Sequence, residues 1–344
     1  MSKQYIFIFG GAIGDSLLGV QLAHILEGAF PSSRLITIST RKSNFVRELL
    51  GLVPQIEYRE LLRSDIRSWL VLLRLACSPH CVVFLEPFQD AIPLWWKIIA
   101  RMTTLFPGSV EIRCQSHPQK VPARVRVISY SPATDNLFSM IARVVPLWGG
   151  SPLPAPVPSL PVPVCLSSPA RQYILFHFFA GAYRRSFPIE KVRSLLMAAR
   201  EKFPQHEFLL TCSHQEESIA HKMIEGVSDT RVEVNPHARE LVCLLKQSSI
   251  CVGVASGVTH IASHLGVPSV VMCNLSDPCW LPTYAENTLQ LSAKEHCGCR
   301  GNKTGDCGVA TPGGIVYRCL YDITTEHIVD AMEHQLTSRQ ARIS

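Results

Sequence analysis

The chain has 344 residues, 47% of them hydrophobic and only 17% charged, which excludes wholesale disorder and gives room for two sizeable cores. The formal net charge of +6 is mild and dispersed, with no block of lysine and arginine interleaved with aromatics. That excludes nucleic acid as the expected partner and suits anionic small molecules or an anionic membrane face.

In chain order, the opening MSKQYIFIFGGAIGD reads as a first strand (residues 5–9) running into glycines, not as a secretory signal. From Ser16 the apolar positions Leu17, Leu18, Leu22, Ile25 and Leu26 have helical spacing, with a stop near Gly28. Strands are expected at 34–39, 81–87 and 125–130. The apolar segments WLVLLRLACSPHCVVFL and IPLWWKIIA are broken by Arg74, Pro79 and His80 or are too short to span a bilayer. A proline-dense stretch, GGSPLPAPVPSLPVPVCLSSPA (149–170), can form neither a helix nor a central strand and reads as a linker. The alternation then restarts. Strands are expected at 173–178, 207–212, 231–235, 250–255 and 267–273, helices at 189–203, 215–226, 238–249 and 256–266, and a last helix from Thr324 or Thr325 as N-cap.

Such alternation argues for α/β architecture with parallel sheets, in two copies: paired Rossmann-like domains facing a central cleft. The expected organisation is an N-terminal domain over 1–150, the linker over 151–170, a C-terminal domain over 171–323, and a terminal helix and tail over 324–344. In open α/β sheets ligands bind beyond the carboxyl ends of the strands, so the strand-to-helix turns are where chemistry is expected.

Four turns stand out. GGAIGD (10–15) is neither a dinucleotide fingerprint nor a P-loop. Its Asp15 reads either as a helix N-cap or as a carboxylate kept ionised at a helix's positive end and able to accept a proton. HFFAGAYRRSFP (177–188) ends a strand at His177 and places Arg184 and Arg185 before a helix, a plausible phosphate clamp or simply a solvated basic loop. In VASGVTHIASHLG a strand enters a helix through Ser256 and Gly257. The first N–H groups there, the hydroxyls of Ser256 and Thr259, and His260 suit a diphosphate. His264, one turn on, reads as a packing or surface residue. The fourth turn is NLSDP (274–278).

Taken together these motifs resemble the heptosyltransferase family of bacterial glycosyltransferases. GAIGDSLL is similar to the family's opening motif, HFFAG with RSFP to its central one, ASGVTHIASHLGVP to its donor-site motif, and NLSDP to the motif after it, in the same order along nearly the whole chain. The resemblance implies a GT-B fold and an inverting, metal-independent transfer from a nucleotide-diphosphate sugar, with domain closure bringing base and donor together. The implied donor is ADP-heptose-like, and the implied acceptor is a lipopolysaccharide core or related glycolipid. It puts Asp15 in the general-base position, with Gly11 and Gly14 in the acceptor-side loop. His177, Arg184, Arg185, Ser256, Gly257, Thr259 and His260 fall on the donor side, Arg185 standing where the family has a phosphate-binding lysine. Ala255 departs from the pattern, occupying the place of an acidic residue, which opens two further readings: a changed donor sugar, or a degenerate member that binds nucleotide sugar without turning it over. Phe187 stands where the family has tryptophan.

Thirteen cysteines is an odd number. Nine are dispersed in apolar contexts, as expected of buried, reduced thiols in a cytoplasmic protein, peripheral to the inner membrane at most. Cys297, Cys299, Cys307 and Cys319 cluster in a glycine-rich loop (297–319) whose spacing leaves a structural metal, a disulfide or thiols open. Family members that glycosylate autotransporter proteins carry a similar set, for which the resemblance implies iron. A protein acceptor is thus the alternative to the glycolipid, with structural iron or zinc as the only cofactor in view and none required for catalysis.

Overall fold

The computed structural model describes residues 4–9, 13–29, 34–39, 42–60, 65–66, 70, 81–85, 110–115, 125–129, 143, 160, 173–274, 287–293 and 307–343. The chain divides into two compact units, Met1–Pro158 and Ser159–Ser344. The proline-rich stretch lies outside the described residues apart from Leu160, whose N–H donates to the His264 carbonyl at 3.4 Å.

The N-terminal unit is built on strands β1 (Gln4–Phe9), β2 (Arg34–Ser39), β3 (Ile56–Glu60), β4 (Cys81–Leu85), β5 (Val110–Gln115) and β6 (Val125–Ser129). They form one sheet in the order β3-β2-β1-β4-β5-β6, every pairing parallel. Between β1 and β2 runs helix α1 (Ile13–Ala29), buried along most of its length through Leu17, Leu18, Val20, Leu22, Ile25 and Leu26. A helix this apolar needs close approach to its sheet, and Gly19 permits it. A Cβ there would lie 3.2 Å from Thr37 and 3.3 Å from Phe7. Helix α1 begins three residues before the expected start at Ser16, which corrects the N-cap reading of Asp15: the residue is third in the helix, inside its first turn. An acidic residue is still favoured there, since the first-turn N–H groups carry the positive end of the macrodipole. Helix α2 (Asn44–Gly51), which the sequence reading did not anticipate, starts where Ser43 accepts a hydrogen bond from Val46 N–H at 3.3 Å.

The C-terminal unit repeats the plan. Its sheet comprises β7 (Tyr173–His177), β8 (Glu207–Cys212), β9 (Thr230–Val234), β10 (Ser248–Val254), β11 (Ser269–Met272) and β12 (Thr288–Leu291), again all parallel, in the order β12-β11-β10-β7-β8-β9. In each sheet the first strand sits centrally and the fourth lies on its other side, the doubly wound order with a topological switch point between them. Helices α3 (Ile189–Lys202), α4 (Glu217–Ile224), α5 (Ala238–Gln247) and α6 (Gly257–His264) link the strands. A two-stranded antiparallel hairpin follows, β13 (Gly308–Thr311) and β14 (Gly314–Tyr317), then the short α7 (Arg318–Tyr321) and the long α8 (Thr325–Ile343). Helix α8 packs onto this core: Ile328, Val329, Ala331 and Met332 join Phe176, Phe178, Phe187, Phe208, Val252 and Met272 in one apolar cluster.

Burial pushes the Cys212 thiol up to about 11 and those of Cys251 and Cys273 up to about 12, as befits residues that serve packing. Cys243 on α5 departs from the expectation of dispersed thiols, being disulfide-bonded. Among the described residues no helix is long and apolar enough to cross a membrane.

Candidate functional site

The switch point of the C-terminal sheet lies between β7 and β10, and two of the four singled-out turns leave the sheet there. The register pairs His177, the last residue of β7, with Gly253 near the end of β10. The fit is tight, because a Cβ on Gly253 would collide with the His177 carbonyl and lie 3.2 Å from the Thr259 methyl. Gly253 is the site residue that the sequence reading missed. Its signal was present, a lone glycine inside an apolar strand marking a close backbone approach.

From β10 the chain passes Ala255, whose N–H donates to the Met272 carbonyl at 2.9 Å, and enters α6 at Gly257. Ser256 N–H donates to Thr259 Oγ1 at 3.0 Å, and that oxygen also lies 3.0 Å from the carbonyls of both Val254 and Ser256. Thr259 is fully buried, so its hydroxyl shapes the turn from within, whereas the sequence reading had it contact a ligand. The α6 N-terminus then offers first-turn N–H groups, which have no acceptor within a helix, beside half-buried Ser256 and Gly257. His260 follows, 6% exposed, and burial pulls its pKa down to about 4. It is neutral at physiological pH and can give a ligand at most one ring hydrogen bond. His264 is buried, a packing residue of the same helix.

From β7 the chain makes the second turn. His177 Nδ1 donates to the Thr211 carbonyl at 3.1 Å, and burial lowers its pKa, so a neutral ring is tied sideways to β8. Beyond it, Tyr183–Arg185 form a single 3-10 turn. Ser186 Oγ accepts from Ala180 N–H at 3.0 Å, and Phe187 N–H donates to the Phe178 carbonyl at 2.9 Å, closing the loop on itself. Phe187 is buried against Phe178, with ring centroids 5.8 Å apart. The Arg184 guanidinium lies 5.3 Å from the centre of the Tyr317 ring, and Arg185 is exposed. One sheet edge therefore carries a cationic turn and a helix N-terminus on adjacent strands, an arrangement suited to a diphosphate.

In the other unit, β1 runs into α1 across the switch point between β1 and β4, which puts Asp15 and Gly14 in the first turn after the central strand. Gly11 lies outside the described residues, as do the NLSDP turn beyond Asn274 and both Cys297 and Cys299. Cys307 and Cys319 are buried together against Tyr317 at the base of the hairpin. Among the described residues no group of three or more histidine, cysteine or acidic side chains is placed to hold a metal ion.

Residues 159–306 match the family described as Glycosyltransferase family 9 (heptosyltransferase). A search of curated protein sequences returned no match. Among solved structures, the chain is similar to ADP-heptose LPS heptosyltransferase II of E. coli, with 15% identity, a TM-score of 0.70, and coverage of 98% of this chain and 99% of that one. It is similar to the E. coli heptosyltransferase WaaC with ADP at 15% identity and a TM-score of 0.66, over 96% and 99% of the two chains. The iron-containing dodecameric glycosyltransferase TibC of enterotoxigenic E. coli is also similar, at 14% identity and a TM-score of 0.60, over 98% of this chain and 77% of that one. At such identities the likeness speaks to the fold, which is GT-B.

Proposed function

We propose that the chain, whose residues 159–306 match glycosyltransferase family 9, is a heptosyltransferase-like glycosyltransferase that moves heptose from an ADP-heptose-type donor to a lipopolysaccharide-core glycolipid, with inversion. The observation that carries this reading is the pairing of His177 with Gly253, which sets the arginine turn beside the N-terminus of α6. The solved WaaC complexes with ADP and with ADP-2-deoxy-2-fluoro heptose support the choice of donor.

In this mechanism Asp15 removes the proton from an acceptor hydroxyl. The oxygen attacks the anomeric carbon as its bond to the diphosphate breaks, and the electron pair leaves on ADP. Arg184, Arg185 and the first N–H groups of α6 take up the charge that grows on the leaving diphosphate. Fixed cations and a helix end do this without Mg²⁺. Neutral His260 donates a hydrogen bond to the donor side, and Ser256 with Gly257 lets the diphosphate approach the backbone. Ala255 leaves the pocket without the acidic side chain of the family pattern, so the transferred sugar is to be read from a donor panel and not assumed. A glycolipid acceptor places the protein in the cytoplasm, peripheral to the inner membrane, in keeping with its positive charge.

Cys307 and Cys319 fit as two of the four thiolates of a structural iron or zinc site that Cys297 and Cys299 would complete. Such a metal would brace the base of the hairpin and take no part in transfer. The cysteine loop is the one feature that motivates a second acceptor class, an autotransporter-type protein.

The test is turnover of a panel of nucleotide sugars against lipopolysaccharide core and autotransporter protein, with EDTA present and no added metal. Transfer of heptose to the core supports the proposal, and transfer to protein alone moves the acceptor to the second class. An absolute Mg²⁺ requirement, or no turnover of any donor, overturns it. Arg185→Ala should weaken ADP binding about tenfold and adenosine binding hardly at all, read by calorimetry.

A further inference from the structure

The arginine turn is held from two sides, and only one belongs to the Rossmann-like core. On the inner side, Ser186 and Phe187 bond back to Ala180 and Phe178. On the outer side stands the hairpin Gly308–Tyr317, and the contact is made by Tyr183, the residue that opens the turn. Thr311 Oγ1 donates to the Gly314 carbonyl at 2.7 Å, so the Tyr183 hydroxyl, 3.3 Å away, donates to Thr311. The Tyr183 ring lies across the Gly313–Gly314 corner. A Cβ on Gly314 would lie 2.9 Å from the ring carbons Cδ1 and Cε1, and one on Gly313 would overlap the Tyr183 hydroxyl and lie 2.8 Å from Ile189 Cδ1. Gly314 also has φ +136°, which disfavours any side chain. At the base of the hairpin the Tyr317 ring faces the Arg184 guanidinium, so the first arginine is met there as well. That base is tied to the sheet: Arg318 N–H donates to the Cys307 carbonyl at 2.7 Å, and Ala293 N–H, just beyond β12, donates to the Cys319 carbonyl at 3.1 Å.

We propose that this hairpin is the positioning element of the cationic turn and that Tyr183 is its pin, holding Arg184 and Arg185 in register for a diphosphate. The inference rests on the reading that this turn binds a nucleoside diphosphate. A turn of three residues has too few internal hydrogen bonds to fix two long arginine side chains by itself. Two glycines with no room for a methyl group make the hairpin corner a socket for one aromatic ring, and the ring is the residue next to the first arginine. Tyr183 is a positioning residue and touches no reacting atom.

The experiment titrates ADP and adenosine onto the full-length wild type, Tyr183→Phe, Tyr183→Ala, Gly313→Ala and Arg185→Ala, with melting temperatures measured alongside. The expected result is ADP affinity within about threefold of wild type for Tyr183→Phe, which keeps the ring in its socket. For Tyr183→Ala and Gly313→Ala, ADP affinity should fall about tenfold while adenosine affinity holds, the melting curves showing each variant folded at the temperature of the titration. If Tyr183→Ala fails to fold, Gly313→Ala reads the same quantity. Unchanged ADP affinity in the pin variants while Arg185→Ala loses it overturns the pin and leaves the site reading intact. Equal loss of ADP and adenosine in the pin variants also overturns it, because a general structural fault would do that. A wild type that does not prefer ADP to adenosine sinks the site reading, and the pin with it.

Discussion

The two sheets share one strand order, yet the turn that leaves the central strand differs between them. In the N-terminal unit only residues 10–12 separate β1 from α1, and Asp15 sits third in the helix. In the C-terminal unit residues 178–188 separate β7 from α3, long enough to carry a 3-10 turn and two arginines. The short connection presents an acid at the positive end of a helix. The long one adds cations beside a second helix N-terminus, that of α6. One topology thus carries an acidic residue after one central strand and two arginines after the other.

The hardest break to that contrast is Asp15→Asn, which keeps a polar residue in the first turn but removes the carboxylate proposed as the proton acceptor. Turnover should fall by roughly 10³-fold with ADP binding unchanged within a few-fold, because the binding turns lie on the other chain segment. Near-wild-type turnover would reduce Asp15 to a favourable helix residue.

The next break is acid. The C-terminal unit buries His177, His206 and His260, each held below its usual pKa by burial. A histidine whose folded pKa is depressed stabilises the fold above its unfolded pKa of about 6.5, and that stability is lost as pH falls towards the folded value. For His260, whose folded value is about 4, the loss is roughly 3 kcal/mol between pH 6.5 and 4. Urea unfolding followed by probes in each unit should therefore show the C-terminal unit weakening first on acidification. Parallel weakening of both units would show that the buried histidines are not the cause.

The gentlest break pairs two glycines. Gly253→Ala forces a methyl group onto the His177 carbonyl, a backbone atom that cannot turn aside, and should cost about 2–3 kcal/mol together with ADP affinity. Gly19→Ala in the other unit meets side-chain atoms of Thr37 and Phe7 at 3.2–3.3 Å, and should cost about 1 kcal/mol or less with ADP affinity untouched. Denaturant midpoints and calorimetry on both variants would check the order. A larger cost at Gly19 would mean that α1 cannot shift on its sheet.

How much of this was legible in the sequence depended on periodicity. The strands and helices from Tyr173 to Met272 could be read closely because each is a clean apolar run or an amphipathic stripe. Strand β3, IEYRE, was not readable: it lies at the sheet edge with every residue half-buried, so its pattern looks like surface. The hairpin was hidden by its own turn, since glycine and proline in GVATPGGIVY read as loop although they mark the corner between two short strands. The start of α1 was misplaced because Gly14 looked like part of the glycine turn, whereas it is already helical. The types of the site residues were legible, but their contacts were not. Nothing near Thr259 in sequence indicates that its hydroxyl closes on Val254 and Ser256, and Gly253 meets His177 only through strand pairing.

That pairing also orders events in time. Tyr173 of β7 pairs with Glu207 of β8 and with Ser248 of β10, and Cys251 of β10 pairs with nearby Ser269 of β11. The seam between β7 and β10 thus joins the most distant partners in its sheet, and it requires the largest loop closure. A refolding chain would gain the β7–β8 and β10–β11 pairs early and the central seam late, when two preformed halves dock. The two turns proposed to hold the nucleotide lie on opposite sides of that seam, so such a site would be assembled only with the final docking step.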